Sequence, residues 1–179
     1  EYKTRFHDLA EKGQSPRIMV ISCCDSRVDP GLIYNVEPGD LFVVRNVANL
    51  VPPFKEEGEY HGTSAALEFA VTGLDVDHII IMGHSQCGGV AACVDSLQGE
   101  NGTDSYFIHS WMSMMEDAAK RALEQAGGNA GSEETARLVE QAGIRQSLEN
   151  LGTFPFIKEH IDAGNLQIHG AYFNISNGQ

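Results

Sequence analysis

The sequence predicts a single α/β domain built on a central, mainly parallel β-sheet of four or five strands flanked by helices. Three observations predict it. Ile18-Met19-Val20-Ile21, Leu41-Phe42-Val43-Val44 and Ile79-Ile80-Ile81-Met82 are short, continuous apolar runs, the pattern of strands buried on both faces. Segments of helical length separate them, and strands alternating with helices imply a parallel sheet with right-handed crossovers. No repeat or low-complexity linker divides the 179 residues, which are enough for one full core, so residues 1–179 read as one domain.

The elements follow in order. Residues 1–12 read as a polar helix anchored by Phe6 and Leu9, and Gly13-Gln14-Ser15-Pro16 turns the chain. A first strand covers about 17–23. Glu37-Pro38-Gly39 is the turn that feeds a second strand over about 40–45. Residues 46–60 form a loop with Pro52-Pro53 and a run of acids. A helix over 62–73 begins near Thr63 as its cap. A third strand spans 78–83, and the helix after it runs to about Leu97. Beyond a loop at 98–102, an amphipathic helix over about 105–125 carries Trp111, Met115, Ala118 and Ala122 on one face. The glycine-rich stretch 127–132 breaks it, and the Ser132 hydroxyl caps the next helix. Pro155 marks a short helix to about Asp162, and a fourth strand runs from Leu166 to Ile175. Ser176-Asn177-Gly178 then reads as a hairpin turn, so another strand is expected to follow and the termini to be truncated.

A formal net charge of −13 argues against nucleic acid and anionic membrane surfaces as partners. No stretch is long and apolar enough to span a bilayer. No signal peptide is visible, although the chain opens with Glu1 and not Met. Four cysteines at this length do not make a disulfide scaffold. Free or metal-bound thiols suit a reducing compartment, the cytoplasm or the interior of an organelle. Cys93, on its helix, reads as a small core residue.

The chemistry gathers where strands end. The third strand stops at Gly83, and the chain turns sharply through His84-Ser85-Gln86-Cys87-Gly88-Gly89. Two metal-type ligands three residues apart on one tight turn can reach the same ion. In an open parallel sheet, ligands bind outside the carboxyl ends of the strands, and the first strand ends there in Cys23-Cys24-Asp25-Ser26-Arg27. Adjacent strand residues point to opposite faces, so Cys23 and Cys24 cannot easily share one ion. Two thiolates and one imidazole suit Zn²⁺, whereas Mg²⁺ or Ca²⁺ would want oxygen. They leave one tetrahedral position open, as in catalytic sites. Asp25 and Arg27, two residues apart, can form a charge-assisted pair.

Together, Cys23-x-Asp25-Ser26-Arg27 and His84-x-x-Cys87-Gly88-Gly89 resemble the β-class carbonic anhydrases. The resemblance extends to Arg45-Asn46-Val47-Ala48-Asn49-Leu50-Val51-Pro52-Pro53, to Gly62-Thr63-Ser64-Ala65-Ala66-Leu67-Glu68 and to His169-Gly170, nearly the whole chain. It implies one Zn²⁺ per chain on Cys23, His84 and Cys87, with Cys24 in place of a smaller residue. It implies reversible hydration of carbon dioxide to bicarbonate and a proton by zinc-bound hydroxide. In that scheme Asp25 accepts a hydrogen bond from the hydroxide, and Arg27 keeps Asp25 ionised and in place. In some members the matching Asp instead moves onto the metal, which makes Asp25 a conditional fourth ligand.

The resemblance also assigns a pocket. Gln14 matches a residue that hydrogen-bonds substrate. Phe42, Val47 and Phe69 match apolar positions, some of which face a site across a subunit boundary in a homodimer or a higher multiple of dimers. Phe69 stands where a Tyr is often found. Gly88 offers a backbone N–H at a helix start. Val20 occupies the position of a Trp that gated members carry, which together with Gly13-Gln14-Ser15-Pro16 points to the plant-like, ungated subgroup. Arg45 is common to both. Three other readings compete: a carbon disulfide or carbonyl sulfide hydrolase on the same scaffold, a catalytically inactive zinc scaffold protein, and a thiol redox protein. Retention of Asp25 and Arg27 argues against the second, and the lack of a C-x-x-C against the third.

Overall fold

The computed structural model describes residues 2–58, 61–99, 105–127 and 132–179. Its elements are α1 (Tyr2–Lys12), β1 (Ile18–Cys23), α2 (Pro30–Ile33), β2 (Leu41–Asn46), α3 (Gly62–Glu68), β3 (His78–His84), α4 (Gly88–Leu97), α5 (Ile108–Met112), α6 (Glu116–Gln125), α7 (Glu133–Leu151), α8 (Pro155–Asp162) and β4 (Gln167–Phe173). The four strands form one parallel sheet in the order β2-β1-β3-β4. The apolar runs thus become central strands: β1 pairs on both sides, and Met19, Val20 and Ile21 have no exposed surface.

Strand alternation divides the core into two layers. Val20 and Met82 lie on one face with Val90 and Cys93 of α4, Met115, and Ala118 and Ala122 of α6. Met19, Ile21, Ile79 and Ile81 lie on the other with Leu67, Ala70, Leu151 and Ile157. Parallel pairing brings Cys23, Asn46 and His84 to one edge, since Cys23 is in register with Asn46 and His84 with Phe173. That edge is where the turns after β1 and β3 begin.

Helix α7 is seated by two glycines. A Cβ at Gly83 would lie 2.6 Å from Ile144 Cδ1, and one at Gly170 would lie 2.9 Å from Ile144 Cγ2. Ile144 is itself buried. Gly83→Ala is therefore expected to overpack this contact and destabilise the fold by about 1–3 kcal/mol. Adding Ile144→Val should recover part of the loss. A denaturation midpoint unchanged by Gly83→Ala would show that α7 is free to shift.

Several details depart from the sequence expectations. Helix α1 docks through Arg5, whose Nε donates to the Pro38 carbonyl at 3.0 Å, and through Leu9, which packs on Gly39. Phe6 is 57% exposed and anchors nothing within one chain. The helix expected over 62–73 turns into a π-helical segment, Phe69–Gly73, and its first turn is not capped by Thr63; the cap position is His61, and Thr63 Oγ1 faces Asn46 Nδ2 at 3.4 Å. The expected 105–125 helix is interrupted by a 3-10 turn, Ser113–Met115, that keeps Met115 fully buried. Short α2 was not anticipated, although Asp29 caps it and Pro30 opens it. Of the expected loops, residues 59–60, 100–102 and 128–131 lie outside the described residues. Ser132 caps α7 as expected, accepting from the Thr135 N–H.

Candidate metal centre

Cys23 ends β1, His84 ends β3 and Cys87 stands at the start of α4. One ligand-type atom from each lies within 4.8 Å of the other two, and all three residues are buried. This is the one such group among the described residues. Cys24 lies just beyond the end of β1 and is exposed.

The donor set fits a zinc ion. The ring N–H at Nδ1 of His84 donates to the Ser85 carbonyl at 2.9 Å, which leaves the lone pair on Nε2. That Nε2 is buried and has no hydrogen-bond partner outside the cluster, where the Cys23 sulfur is its neighbour. The two thiols are strongly coupled. A hydrogen bond from Cys87 first, then the His84 ring and the Asp25 and Ala48 N–H groups, pull Cys23 down against burial. The Cys23 sulfur and burial together push Cys87 up. One proton thus leaves readily and the second only against a buried negative charge, an imbalance that a divalent cation neutralises.

The backbone around the sulfurs is specially shaped. Ala48 and Asn49 have φ of 61° and 49°, and this conformation aims the Ala48 N–H at Cys23 Sγ, 3.4 Å away. Asn46 holds the bend, donating to the Leu50 carbonyl at 2.8 Å and accepting from the Leu50 N–H at 2.9 Å. Gln86, with φ of 58°, makes the tight turn that brings Cys87 back toward His84.

Two arginines tie these turns together. Arg27 grips Asp25 with Nε on Oδ1 at 2.9 Å and Nη2 on Oδ2 at 2.7 Å. The same Nη2 donates to the Gln86 carbonyl at 3.1 Å, so Arg27 joins the Cys23 turn to the Cys87 turn. Hydrogen bonds from Arg27, opposed only by modest burial, hold the Asp25 carboxyl well below the usual carboxylate range. Arg45 donates from Nε to the Cys23 carbonyl at 2.9 Å and from Nη2 to the Asp25 carbonyl at 2.7 Å. It fastens the backbone on either side of Cys24.

Glu140 was missed by the sequence reading. It is buried on α7, accepts from the Cys87 N–H at 3.2 Å, and accepts from the Tyr172 hydroxyl at 2.6 Å. No local pattern marks it, because its partners lie 53 and 32 residues away.

The expected pocket residues divide. Val47 touches the α4 start, its Cγ1 lying 2.8 Å from where a Cβ on Gly89 would be, and it borders an apolar cavity of about 660 Å³ with Cys24, Trp111 and Met114. Gly88 is exposed, and a Cβ there would meet nothing within 4 Å. Gln14, Phe42 and Phe69 are not brought to the cysteines of their own chain. Gln14 precedes the amino end of β1, whereas Cys23 closes its carboxyl end, a strand length of roughly 16–20 Å away. Phe42 and Phe69 pair with ring centroids 5.9 Å apart; Phe42 packs in the layer with Met19 and Ile21, and Phe69 is half exposed.

A sequence profile of the carbonic anhydrase family matches residues 18–179. The chain is 44% identical over 163 residues to beta carbonic anhydrase 6, mitochondrial, of Arabidopsis thaliana, covering 91% of this chain and 55% of that protein. Its fold matches the structure of the beta-carbonic anhydrase CcaA with a TM-score of 0.88 at 34% identity, covering 99% of this chain and 77% of that one. It matches a tetrameric beta-carbonic anhydrase from the filamentous ascomycete Sordaria macrospora with a TM-score of 0.86 at 32% identity, covering 99% and 87%. The chain spans about half the length of the curated relatives it matches.

Proposed function

This chain belongs to the β-class carbonic anhydrases, and from that premise we propose that it hydrates carbon dioxide reversibly to bicarbonate and a proton at a zinc centre held by Cys23, His84 and Cys87. The observation that carries the reading is the convergence of two thiols on a buried imidazole nitrogen with no other partner. Zinc in such a set acts as a Lewis acid that makes a water nucleophilic near neutral pH. The chain's own residues then aim that water. Asp25 Oδ1 already accepts from the Arg27 N–H and Nε, while Oδ2 accepts from Nη2 alone. A carboxylate oxygen has room for about two donors, so Oδ2 retains a lone pair for a water O–H. Asp25 thereby fixes the direction of the attacking oxygen, and Arg27 keeps the carboxylate charged so that it remains an acceptor.

Val47 and the open surface at Gly88 supply the near wall of the pocket. Phe42, Phe69 and Gln14 serve a site only across a subunit boundary, which fits a homodimer or a multiple of dimers. The tetrameric relatives support that reading, and an apolar wall suits uncharged carbon dioxide while favouring release of charged bicarbonate. Unpaired cysteines favour a reducing compartment, cytoplasmic or within an organelle. Stopped-flow carbon dioxide hydration, run with and without a strong chelator, tests the function. Rate that survives complete metal removal would end the proposal.

The site is also proposed to be ungated. Val20 is fully buried in a packed layer and has no indole to offer, and Asp25 is engaged on both oxygens by Arg27. Activity should rise with pH through a single ionisation, apart from ordinary product inhibition. A steep, multi-proton loss on acidification, deepened by added bicarbonate, would show that a gate operates without the Trp.

A further inference from the structure

Sequence spacing gives none of the other histidines a partner. The sheet does. His78 opens β3, and His169 lies on β4, where Ile80 is in register with His169 and His78 with Gln167. Alternation puts His78 and His169 on the same face of neighbouring strands, one step apart on the diagonal. Their rings meet nitrogen to nitrogen: His78 Nδ1 is 3.1 Å from His169 Nε2, with centroids 5.2 Å apart and planes inclined at 50°.

We propose that His78 and His169 form a second metal site, at the sheet edge opposite the cysteine centre, that takes a late first-row divalent cation such as Ni²⁺ or Zn²⁺. Two imidazole nitrogens bound to one such ion at about 2.0–2.1 Å, with an angle of roughly 95–110° between them, stand about 3.0–3.4 Å apart. The observed separation of 3.1 Å falls in that range, and a turn of the rings would bring both lone pairs onto the ion. Imidazole selects this class of cation over Mg²⁺ or Ca²⁺. His78 borders a polar cleft of about 460 Å³ with Arg17, Asp75 and Asp77, and Arg17 is already paired with Asp77. The cleft gives an ion access to water, and a net charge of −13 favours cations generally.

The proton balance is simple. In the hydrogen-bonded pair one facing nitrogen carries a hydrogen. On binding, that hydrogen moves through solvent to the far nitrogen of the same ring, His78 Nε2 or His169 Nδ1, and both facing lone pairs bind the ion. No third His, Cys, Asp or Glu among the described residues joins the pair within 4.8 Å. The remaining positions fall to water, so this site binds more weakly than the cysteine centre.

The test titrates zinc-loaded protein with Ni²⁺ near neutral pH by calorimetry and equilibrium dialysis. One further equivalent per chain is expected in wild type and none in His78→Asn or His169→Asn. Carbon dioxide hydration and the first zinc should be unchanged in both variants. Paramagnetic broadening by Ni²⁺ should be centred on the two ring signals. Absence of a further equivalent in wild type would reduce the pair to a hydrogen bond. A further equivalent that persists in the His78→Asn/His169→Asn double variant would place the ion elsewhere. Either result overturns the proposal. Failure of the cysteine centre to hold zinc would appear separately, as loss of the first equivalent in every protein.

Discussion

Cys87→Ala is expected to remove zinc and carbon dioxide hydration together, from near one metal per chain to near none and from full rate to the buffer background. Cys87 is 3% exposed and stands where β3 has just turned into α4. The variant leaves two ligands, one of them the neutral imidazole of His84. Loss of partners that merely support metal ligands commonly costs about 10–100-fold in affinity, and loss of a ligand should cost more. The fold should survive, because Glu140 holds this turn through the Cys87 backbone N–H, which alanine keeps. Elemental analysis beside circular dichroism separates metal loss from unfolding. Cys23 and Cys24 supply the internal control. Cys23→Ser should lose the metal and Cys24→Ser should keep it, since Cys23 is buried in the cluster and Cys24 is exposed. The opposite pattern would mean that the wrong cysteine has been assigned.

The cysteine centre was legible because its signals are local. Each of the three proposed ligands sits within a few residues of the end of an apolar run, and the rule that parallel strands bind at their carboxyl edge brings two such ends together. The strands were legible for the same reason. What escaped was set by distance along the chain. Glu140 reaches Cys87 across 53 residues, and His78 reaches His169 across 91. Those meetings depend on strand register and on the seat of α7 over Gly83 and Gly170, which no periodicity encodes. Helix irregularities escaped because packing overrides propensity. The 3-10 turn at Ser113–Met115 breaks an otherwise continuous amphipathic pattern while keeping Met115 in the core. Phe6 and Phe69 read as apolar anchors or pocket residues, yet a single chain leaves both half exposed or more. The proposed homo-oligomer would account for the surface that Phe6 leaves open and for the part of Phe69 that Phe42 does not cover. Asp29-Pro30, by contrast, is a readable helix start, a capping carboxylate followed by a proline.

Asp25→Asn is expected to leave zinc bound and lower the hydration rate by about one to two orders of magnitude, the usual scale for a hydrogen bond that orients chemistry at a metal. Asparagine keeps the size of the side chain and one accepting oxygen. It loses the charge, and its amide nitrogen meets the Arg27 donors where a carboxylate oxygen had met them. The group must then rotate or lose a bond to Arg27, and in either case the lone pair left for the attacking water is misdirected. The shape of the pH profile adds a second readout. Arg27 holds the Asp25 carboxyl well below the usual range, so the wild-type residue stays ionised across the pH range of a hydration assay. Its own protonation therefore adds no second ionisation, and the variant's profile should still show a single ionisation. Arg27→Ala should resemble Asp25→Asn in rate. It should also loosen the His84–Cys87 turn, because Arg27 donates to the Gln86 carbonyl as well. The Asp25→Asn/Arg27→Ala double variant should therefore fall well short of the sum of the two losses, as expected of residues acting as one unit. If Asp25→Asn instead hydrates carbon dioxide at the wild-type rate, the pair is an exposed ion pair of little consequence, and the aiming of water must be credited to another group.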